Sequence, residues 1–118
     1  MQFAVDRTAV HGRPALRVRG EFDIATAPRL AECVEAELAT SPGALVVDLT
    51  ETTFMDSSGA RQIVRTARRV AEAGATLQVV CPRQNTSVRL VIDLLELDRL
   101  VPVVEQEQAG RADGEVGS

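Results

Sequence analysis

Two adjacent serines stand where a mostly apolar segment of the chain passes into a helical pattern. Residues 45–49 form the apolar segment, and Asp56-Ser57-Ser58-Gly59 follows it after a polar turn. Beyond Gly59, apolar residues recur with the spacing of one helical face, so the serines fall at a predicted strand-to-helix turn. Open α/β sheets often carry functional groups at such turns, which makes this turn the first candidate site.

A serine hydroxyl at this turn could serve in two ways. It could cap the helix by accepting a backbone N–H from a residue two or three positions later, and either Ser57 or Ser58 suits that role. It could also accept a phosphoryl group, which adds a charge of about −1.5 to −2 at pH 7. The helix end would tolerate that charge through its free N–H groups and dipole, whereas a partner docked over the turn would not. The turn therefore has the properties of a phosphorylation switch.

The rest of the sequence offers little for catalysis. The one histidine, His11, falls in a predicted turn and is interpreted as solvated. Cys33 and Cys81 are far apart and match no metal-ligand spacing, so we interpret them as buried, reduced thiols. The sequence has neither a glycine-rich phosphate loop nor a Gly-x-Ser-x-Gly elbow. We predict a protein that is not an enzyme and has no metal or cofactor of its own.

Size and charge narrow the class of partner. The chain has 118 residues, enough for one domain with its own core. Its formal charge is −4, and residues 105–118 hold four acidic residues against one arginine, so the body is nearly neutral. A nearly neutral body without Trp or Tyr argues against direct binding to nucleic acid or to an anionic membrane. With no signal-peptide pattern and no apolar run of the ~20 residues that a membrane span needs, a cytoplasmic location is expected.

Two strands are predicted at the start of the chain. The first covers residues 3–10, and turn residues at 11–14 lead into the second. In the second strand Leu16, Val18, Gly20 and Phe22 share one face, while polar residues share the other. Such alternation indicates a strand with one packed and one wet face, so we expect the two strands to pair as an antiparallel hairpin.

The pattern then changes to a helical period. Thr26 is the expected N-cap of a first helix, because its hydroxyl can accept an N–H of the first turn. Three glutamates of this helix fall outside the apolar stripe and are expected to face mainly solvent: Glu32, Glu35 and Glu37.

Strands and helices alternate through the rest of the chain. The pattern predicts a strand at 44–50, a helix at 58–73, a strand at 75–81, a helix from about 85, and a short strand at 100–104. Gly74 is expected to close the second helix in a left-handed conformation. The fold class is therefore α/β, a mixed sheet of about five strands packed with about three helices. Residues 1–104 form the predicted domain, and residues 105–118 are too polar to pack and are expected to be a disordered acidic tail.

Two side-chain sets outside the turn each allow two interpretations. A stripe of arginines on the second helix is either a solvated face or a contact for an acidic partner or phosphate: Arg61, Arg65, Arg68 and Arg69. An extra apolar arc on the third helix is interpreted as packing against the last strand, with a second contact surface as the alternative: Leu90, Leu94 and Leu97.

Three segments together resemble one known family. The segment 54–59, Phe-Met-Asp-Ser-Ser-Gly, preceded by Val-Val-Asp-Leu at 46–49, is similar to the anti-anti-sigma factors of bacterial partner-switching systems, which are small STAS domains. Gly20-Glu21-Phe22-Asp23 resembles the Gly-Glu-Leu-Asp type segment of that family. The ending 97–103 also looks like the family's last passage from helix to strand.

The resemblance implies a function and assigns roles to residues. Ser57 would be phosphorylated by an anti-sigma factor with serine kinase activity, Ser58 would serve as the helix-start hydrogen-bonder, and Asp23 would lie near the turn. The unphosphorylated protein would bind that kinase and release a sigma factor, phosphorylation would abolish binding, and a PP2C-like phosphatase would restore it. The implied partner-binding residues are the following: Asp23, Asp56, Ser57, Ser58, Gly59 and Arg61.

The sequence departs from the family pattern at two places, and the resemblance also allows one rival function. Ala60-Arg61 stands where the family often has Leu-Gly, so the rim of the docking surface is more basic. Glu96 stands where the family usually ends its third helix with glycine, so it must either bear a left-handed strain of ~1 kcal/mol or use another turn. The rival is a STAS accessory or scaffold subunit of a transporter or signalling assembly, in which the serines only cap the helix.

Overall fold

The described residues form six strands and three α-helices, which alternate after an initial hairpin except for one pair of consecutive strands. In this computed structural model, residues 2–40 and 42–106 are described. The elements in chain order are β1 Ala4–Val10, β2 Arg13–Phe22, α1 Ala27–Leu38, β3 Ala44–Asp48, β4 Thr52–Met55, α2 Ser57–Glu72, β5 Thr76–Val80, α3 Thr86–Leu94, a 3-10 turn Leu97–Arg99 and β6 Val103–Val104.

The strands form one mixed sheet. β1 and β2 pair as the predicted antiparallel hairpin, and its turn uses the left-handed conformation at His11 (φ 51°) and Gly12 (φ 81°). The strand order is β1-β2-β3-β5-β6, all pairs beyond β1-β2 are parallel, and β4 pairs in parallel with β2 alone. Both the mixed sheet and its antiparallel hairpin are therefore confirmed.

The strand β4 is an addition to the predicted pattern, which treated this segment as a polar turn. It lies parallel to the last residues of β2, and Phe22 is paired with Met55. Its burial does not alternate, since Thr52 and Met55 are buried while the two residues between them are exposed. Thr52 is held in place by donating its hydroxyl hydrogen to Val18 O at 2.8 Å. A tertiary hydrogen bond of this kind leaves no periodic signal in the sequence.

The three helices cover one face of the sheet, and the main core lies between the helices and the sheet. The predicted inward face of β2 is buried, with Leu16, Val18 and Phe22 packed in the main apolar cluster. A smaller cluster of four residues occupies the other face: Val10, Ala15, Val46 and Val80. Gly74 closes α2 with φ 81°, as predicted.

Two side chains around α1 differ from expectation. Thr26 does not cap the helix with its side chain; its hydroxyl donates to Glu21 O at 2.7 Å instead. Glu37 was expected to face solvent but is only 3% exposed, because α1 crosses β1 at this point and Glu37 pairs there with Arg7. Periodicity places a residue on a helix, but the burial of Glu37 depends on which strand the helix crosses.

The third helix departs from its predicted packing. Leu97 is buried as expected, but Leu90 and Leu94 are 58% and 71% exposed, so the packing interpretation is wrong for these two residues. Glu96 adopts the left-handed conformation (φ 52°, ψ 41°) that the family's glycine would adopt without strain. The last strand is shorter than the predicted 100–104, since only Val103 and Val104 pair with β5.

The predicted acidic tail falls mostly outside the described residues. Of residues 105–118 the structure describes only 105 and 106, and Glu105 pairs with Arg83 at 2.9 Å. Among the helices of the described ranges, none combines the length and apolar character needed to cross a bilayer.

Candidate docking site around Ser57

The start of α2 lies directly against the end of β2. Asp56 N–H donates to Phe22 O at 3.4 Å, which ties the Asp56 turn to the strand. A Cβ atom added to Gly59 would lie 2.4 Å from Phe22 O and 2.9 Å from Met55 Cγ. Only glycine therefore permits this approach of helix to strand. Gly59, implied by the resemblance as a partner-binding residue, is buried and has a packing role.

Asp56 is the residue that caps α2. Its Oδ1 accepts the backbone N–H of Ser58 at 2.9 Å and of Gly59 at 3.0 Å. The assignment of the helix-start hydrogen bond to Ser58 is therefore wrong, because the preceding aspartate supplies the acceptor. The capping carboxylate also occupies N–H groups that were expected to be free for a phosphoryl group.

Ser57 is the first residue of α2 and is exposed to solvent, whereas Ser58 is half-buried. The hydroxyl of Ser57 is thus open to a modifying enzyme, and the backbone beneath it is fixed by the Asp56 cap. The structure separates the two serines by exposure, a difference that the sequence alone did not provide.

The loop after β2 lies next to this turn and is held by its own hydrogen bonds. Asp23 Oδ1 accepts the N–H of Ala25 at 3.0 Å and of Thr26 at 3.2 Å. Asp23 N–H donates to the Thr26 hydroxyl oxygen at 2.9 Å. Because Phe22, just before this loop, is bonded to Asp56, the structure brings the Asp23 loop and the Asp56 turn together.

The same loop holds Ile24 out into solvent, where it is 75% exposed. This residue was missed by sequence reasoning, since a single apolar residue in a loop is not informative by itself. A shallow groove of about 290 Å³ runs from it to α2, with walls that include Ile24, Pro28, Ser58, Arg61 and Arg65. The groove borders the Ser57 turn and combines apolar and cationic walls.

Three arginines of α2 form an exposed ridge beside this groove. Arg61, Arg65 and Arg68, hereafter the arginine ridge, follow one another at helical spacing, and none of them has an ion-pair or hydrogen-bond partner among the described residues. Arg69, the fourth member of the predicted stripe, instead pairs with Glu35 of α1 at 2.7 and 3.1 Å. The predicted stripe therefore divides into one paired and three available cations.

Every other arginine of the described ranges has a partner. These partners are Glu37 for Arg7, Gln78 for Arg13, Asp48 for Arg17, Asp6 for Arg19, the Phe3 ring for Arg29, Cys81 O for Arg89, Glu105 for Arg83 and Glu96 for Arg99. Unpaired cations are thus concentrated on the one helix face that adjoins Ser57.

Most polar side chains outside this turn form hydrogen bonds that stabilise the fold. Asp48 is buried at the end of β3, where it accepts from Thr50 N–H at 2.9 Å and from Arg17 at 3.3 Å. Asn85 lines a larger groove beside β4, and its side-chain amide donates hydrogen bonds to Leu49 O and Thr52 O. Within the described ranges, no cluster of three or more His, Cys, Asp or Glu residues could hold a metal ion.

Both cysteines are free, and their surroundings favour the neutral thiol. Burial raises the pKa of the Cys81 thiol to about 11, and burial also raises the pKa of Cys33. Since the thiolate is the reactive form, both side chains are weak nucleophiles at neutral pH.

Fold and site together define a small α/β domain with an exposed serine where the Asp23 loop meets the Asp56 turn, hereafter the Ser57 corner. The sequence matches the STAS domain family over residues 5–110, and the chain belongs to that family. A relative with 29% identity over 89 residues, 75% of this chain and 70% of the relative, is the anti-sigma-F factor antagonist RsfB of Mycobacterium tuberculosis.

Solved structures show the same likeness. An anti-sigma factor antagonist from Mycobacterium paratuberculosis superposes with a TM-score of 0.79 and 28% identity, covering 95% of this chain and 93% of that one. A putative anti-sigma factor antagonist from Thermotoga maritima has a TM-score of 0.77 with 22% identity, covering 92% of each chain. At that lower identity the second structure supports the fold alone.

Proposed function

We propose that this protein is an anti-sigma factor antagonist whose unphosphorylated form binds an anti-sigma factor with serine kinase activity and so releases a sigma factor. The observation that carries the proposal is the exposed Ser57 at the start of α2, next to the loop that exposes Ile24, with the start of the helix fixed by Asp56 and Gly59. The similarity to named antagonists supports the same role. The proposed function implies action in the cytoplasm, where sigma factors work.

The docking surface consists of the Asp23 loop, the Asp56 turn and the arginine ridge. Ile24 supplies an apolar anchor, and burying such a side chain contributes about 1.5–3 kcal/mol to association. The ridge supplies cations that no carboxylate of the described residues neutralises. A partner face with an apolar pocket ringed by carboxylates fits this surface. The acidic-partner interpretation of the stripe is thus the one that we adopt for Arg61, Arg65 and Arg68.

Phosphorylation of Ser57 would end this contact. The γ-phosphoryl group of ATP passes to Ser57 Oγ: a new O–P bond forms, the bond to the β-phosphate oxygen breaks, ADP leaves and the hydroxyl proton passes to a base of the kinase. The product carries about −1.5 to −2 charge in the middle of a surface that docking desolvates. Losing that hydration is costly, and the carboxylates of the partner repel the phosphate, so the complex dissociates. A PP2C-like phosphatase would hydrolyse the ester and restore the hydroxyl.

Residues 1–104 act in this proposal as the STAS domain, with 105–118 as an acidic tail. The test uses the full chain with a purified anti-sigma factor that has serine kinase activity, from the same organism. We expect wild type and Ser57→Ala to capture this partner equally in the absence of ATP. Ser57→Asp should capture it at least ~10-fold less, since a desolvated charge costs more than 1.4 kcal/mol.

The position of the incorporated phosphate is the second quantity measured in this experiment. With ATP present, mass spectrometry should find the phosphoryl group on Ser57 in wild type and none on Ser57→Ala, while Ser58→Ala, the matched control, is labelled like wild type. Equal capture of the partner by wild type, Ser57→Ala and Ser57→Asp would refute the switch. Labelling that persists in Ser57→Ala would also refute it. Co-purification with transport or scaffold subunits in place of an anti-sigma factor would favour the accessory-subunit rival.

A further inference from the structure

The positions of Asp56, Ser57 and Arg61 point to a specific intramolecular contact, which rests on the proposed phosphorylation of Ser57. We propose that the phosphoryl group on Ser57 is bound by Arg61, one helical turn further along α2, and that this ion pair withdraws Arg61 from the docking surface. Arg61 is then the residue through which modification changes the interaction surface.

The helix end cannot serve as the main binding site for the phosphoryl group. The N–H groups of Ser58 and Gly59 already donate to the Asp56 carboxylate, and the N–H of Ala60 donates to Asp56 O at 3.0 Å. The first two are first-turn donors of the kind that usually receive an anion at a helix N-terminus, and the third is engaged within the helix itself. A phosphoryl group on Ser57 also lies beside the negative carboxylate of Asp56. It therefore needs a cation from another position.

Arg61 is the one ridge cation within reach. Residues four apart on a helix have Cβ atoms about 5–6 Å apart on the same face, which is the relation of Ser57 to Arg61. Both side chains are exposed, and Arg61 has no partner among residues 2–40 and 42–106. The planar guanidinium matches two phosphate oxygens at once. Arg65 is eight residues from Ser57, about 12 Å along the axis, and lies too far for a direct bond.

The contact would change the docking surface as well as the charge of the serine. Arg61 forms part of the groove that also contains Ile24 and Arg65. When its guanidinium turns back toward residue 57, the groove loses one of the two arginines that line it with Ile24. A carboxylate of the partner that faced Arg61 then meets an arginine already neutralised by phosphate. The switch thus works by competition for Arg61, in addition to the bulk and hydration of the phosphoryl group.

The test needs neither the kinase nor the partner. Phosphoserine is installed at position 57 of the full chain during translation, and the pH dependence of its ³¹P chemical shift is recorded for wild type, Arg61→Gln and Arg65→Gln. A neighbouring cation favours the dianion and lowers the second pKa of the phosphate, which is about 6 when unperturbed. We expect this pKa to be about 0.4 units higher in Arg61→Gln than in wild type, and unchanged in Arg65→Gln.

A second measurement separates contact from a general field effect. Hydrogen exchange of the Arg61 Nε–H with water should slow when residue 57 carries phosphate, and the Arg65 Nε–H should not change. Equal phosphate pKa values in wild type and Arg61→Gln, or the same rise in both variants, would overturn the proposed ion pair. If phosphorylation left partner capture unchanged, the proposed function would be refuted. The phosphate pKa would still show whether Arg61 binds the phosphoryl group.

Discussion

The Ser57 corner and the end of α3 both expose side chains, but their backbones differ. At the corner, Asp56 caps the helix and Asp23 closes the adjoining loop, so the exposed residues stand on fixed backbone. At the end of α3, Glu96 is held in a left-handed conformation. The α3 end also exposes more large apolar surface, through Leu90, Leu94, Leu95 and Leu100.

This difference shows that exposed apolar area alone does not identify a site. At the α3 end Arg99 pairs with Glu96, so that end presents no unpaired cation among the described residues. At the corner, hydrogen bonds to Asp23 and Asp56 hold the backbone, while the exposed hydroxyl and the arginine ridge have no partner within the described part of the chain. A fixed backbone that presents unused functional groups is the arrangement that binding requires.

The largest effect in this comparison is expected from Gly59→Ala. The new Cβ would lie 2.4 Å from Phe22 O, so either α2 or β2 must shift, at a cost of about 3 kcal/mol in the free energy of unfolding. Gly43→Ala is the matched control, because no atom lies within 4 Å of its Cβ position and its φ is not left-handed. Urea denaturation measures both.

Equal stability of the two glycine variants would contradict the close approach of α2 to β2. The conformation at Gly59 is not the reason for its cost, since its φ is not among the positive values of the described chain. The effect is therefore expected to grow with side-chain size, from Gly59→Ala to Gly59→Val.

The next largest effect concerns partner affinity. Ile24→Ala should raise the Kd for the anti-sigma factor about 30-fold, which corresponds to about 2 kcal/mol of lost apolar burial. Leu94→Ala is the control, because Leu94 is exposed to a similar degree, 71% against 75%, but lies on α3. Calorimetric titration of both variants with the same partner decides between the two surfaces. A loss of affinity in Leu94→Ala alone would move the docking site to α3.

A smaller effect distinguishes the capping residue from its neighbours. Asp56→Ala should lower the free energy of unfolding by about 1 kcal/mol, because two N–H groups of the first turn lose their acceptor. Asp56→Asn keeps an oxygen acceptor and should retain most of that stability. Ser58→Ala should change stability by less than about 0.5 kcal/mol. A greater loss in Ser58→Ala than in Asp56→Ala would restore Ser58 as the cap.

The main elements of the fold could be predicted because their signals are periodic and local. The alternation in β2 and the helical spacing after Gly59 both appear in the structure. The short strand β4 could not be predicted, because it is specified by the end of β2 and not by its own pattern. The choice of cap also lay outside the sequence, since Asp56, Ser57 and Ser58 all have suitable acceptors and only the backbone path selects one.

The place of the candidate site in the fold could be predicted, but not its detailed geometry. The Asp-Ser-Ser-Gly segment located the turn, and the resemblance added Asp23 from a distant loop. The exposure of Ile24 depends on how the Asp23 hydrogen bonds shape that loop. The availability of the arginine ridge depends on the absence of nearby carboxylates, which only the packing of α1 against α2 determines: Glu35 reaches Arg69 and leaves the ridge unpaired.

The smallest effect should appear at the α3 end, where strain can be removed. Glu96→Gly relieves a left-handed conformation that costs a non-glycine residue about 1 kcal/mol, while the added freedom of the unfolded chain offsets part of that gain. Glu96→Gln is the matched control, because it loses the ion pair with Arg99 but keeps the strained backbone. We expect the free energy of unfolding of Glu96→Gly to be about 0.5 kcal/mol higher than that of Glu96→Gln. Partner affinity should be the same in both, because the α3 end lies outside the Ser57 corner; a change in affinity would mean that the two regions are coupled.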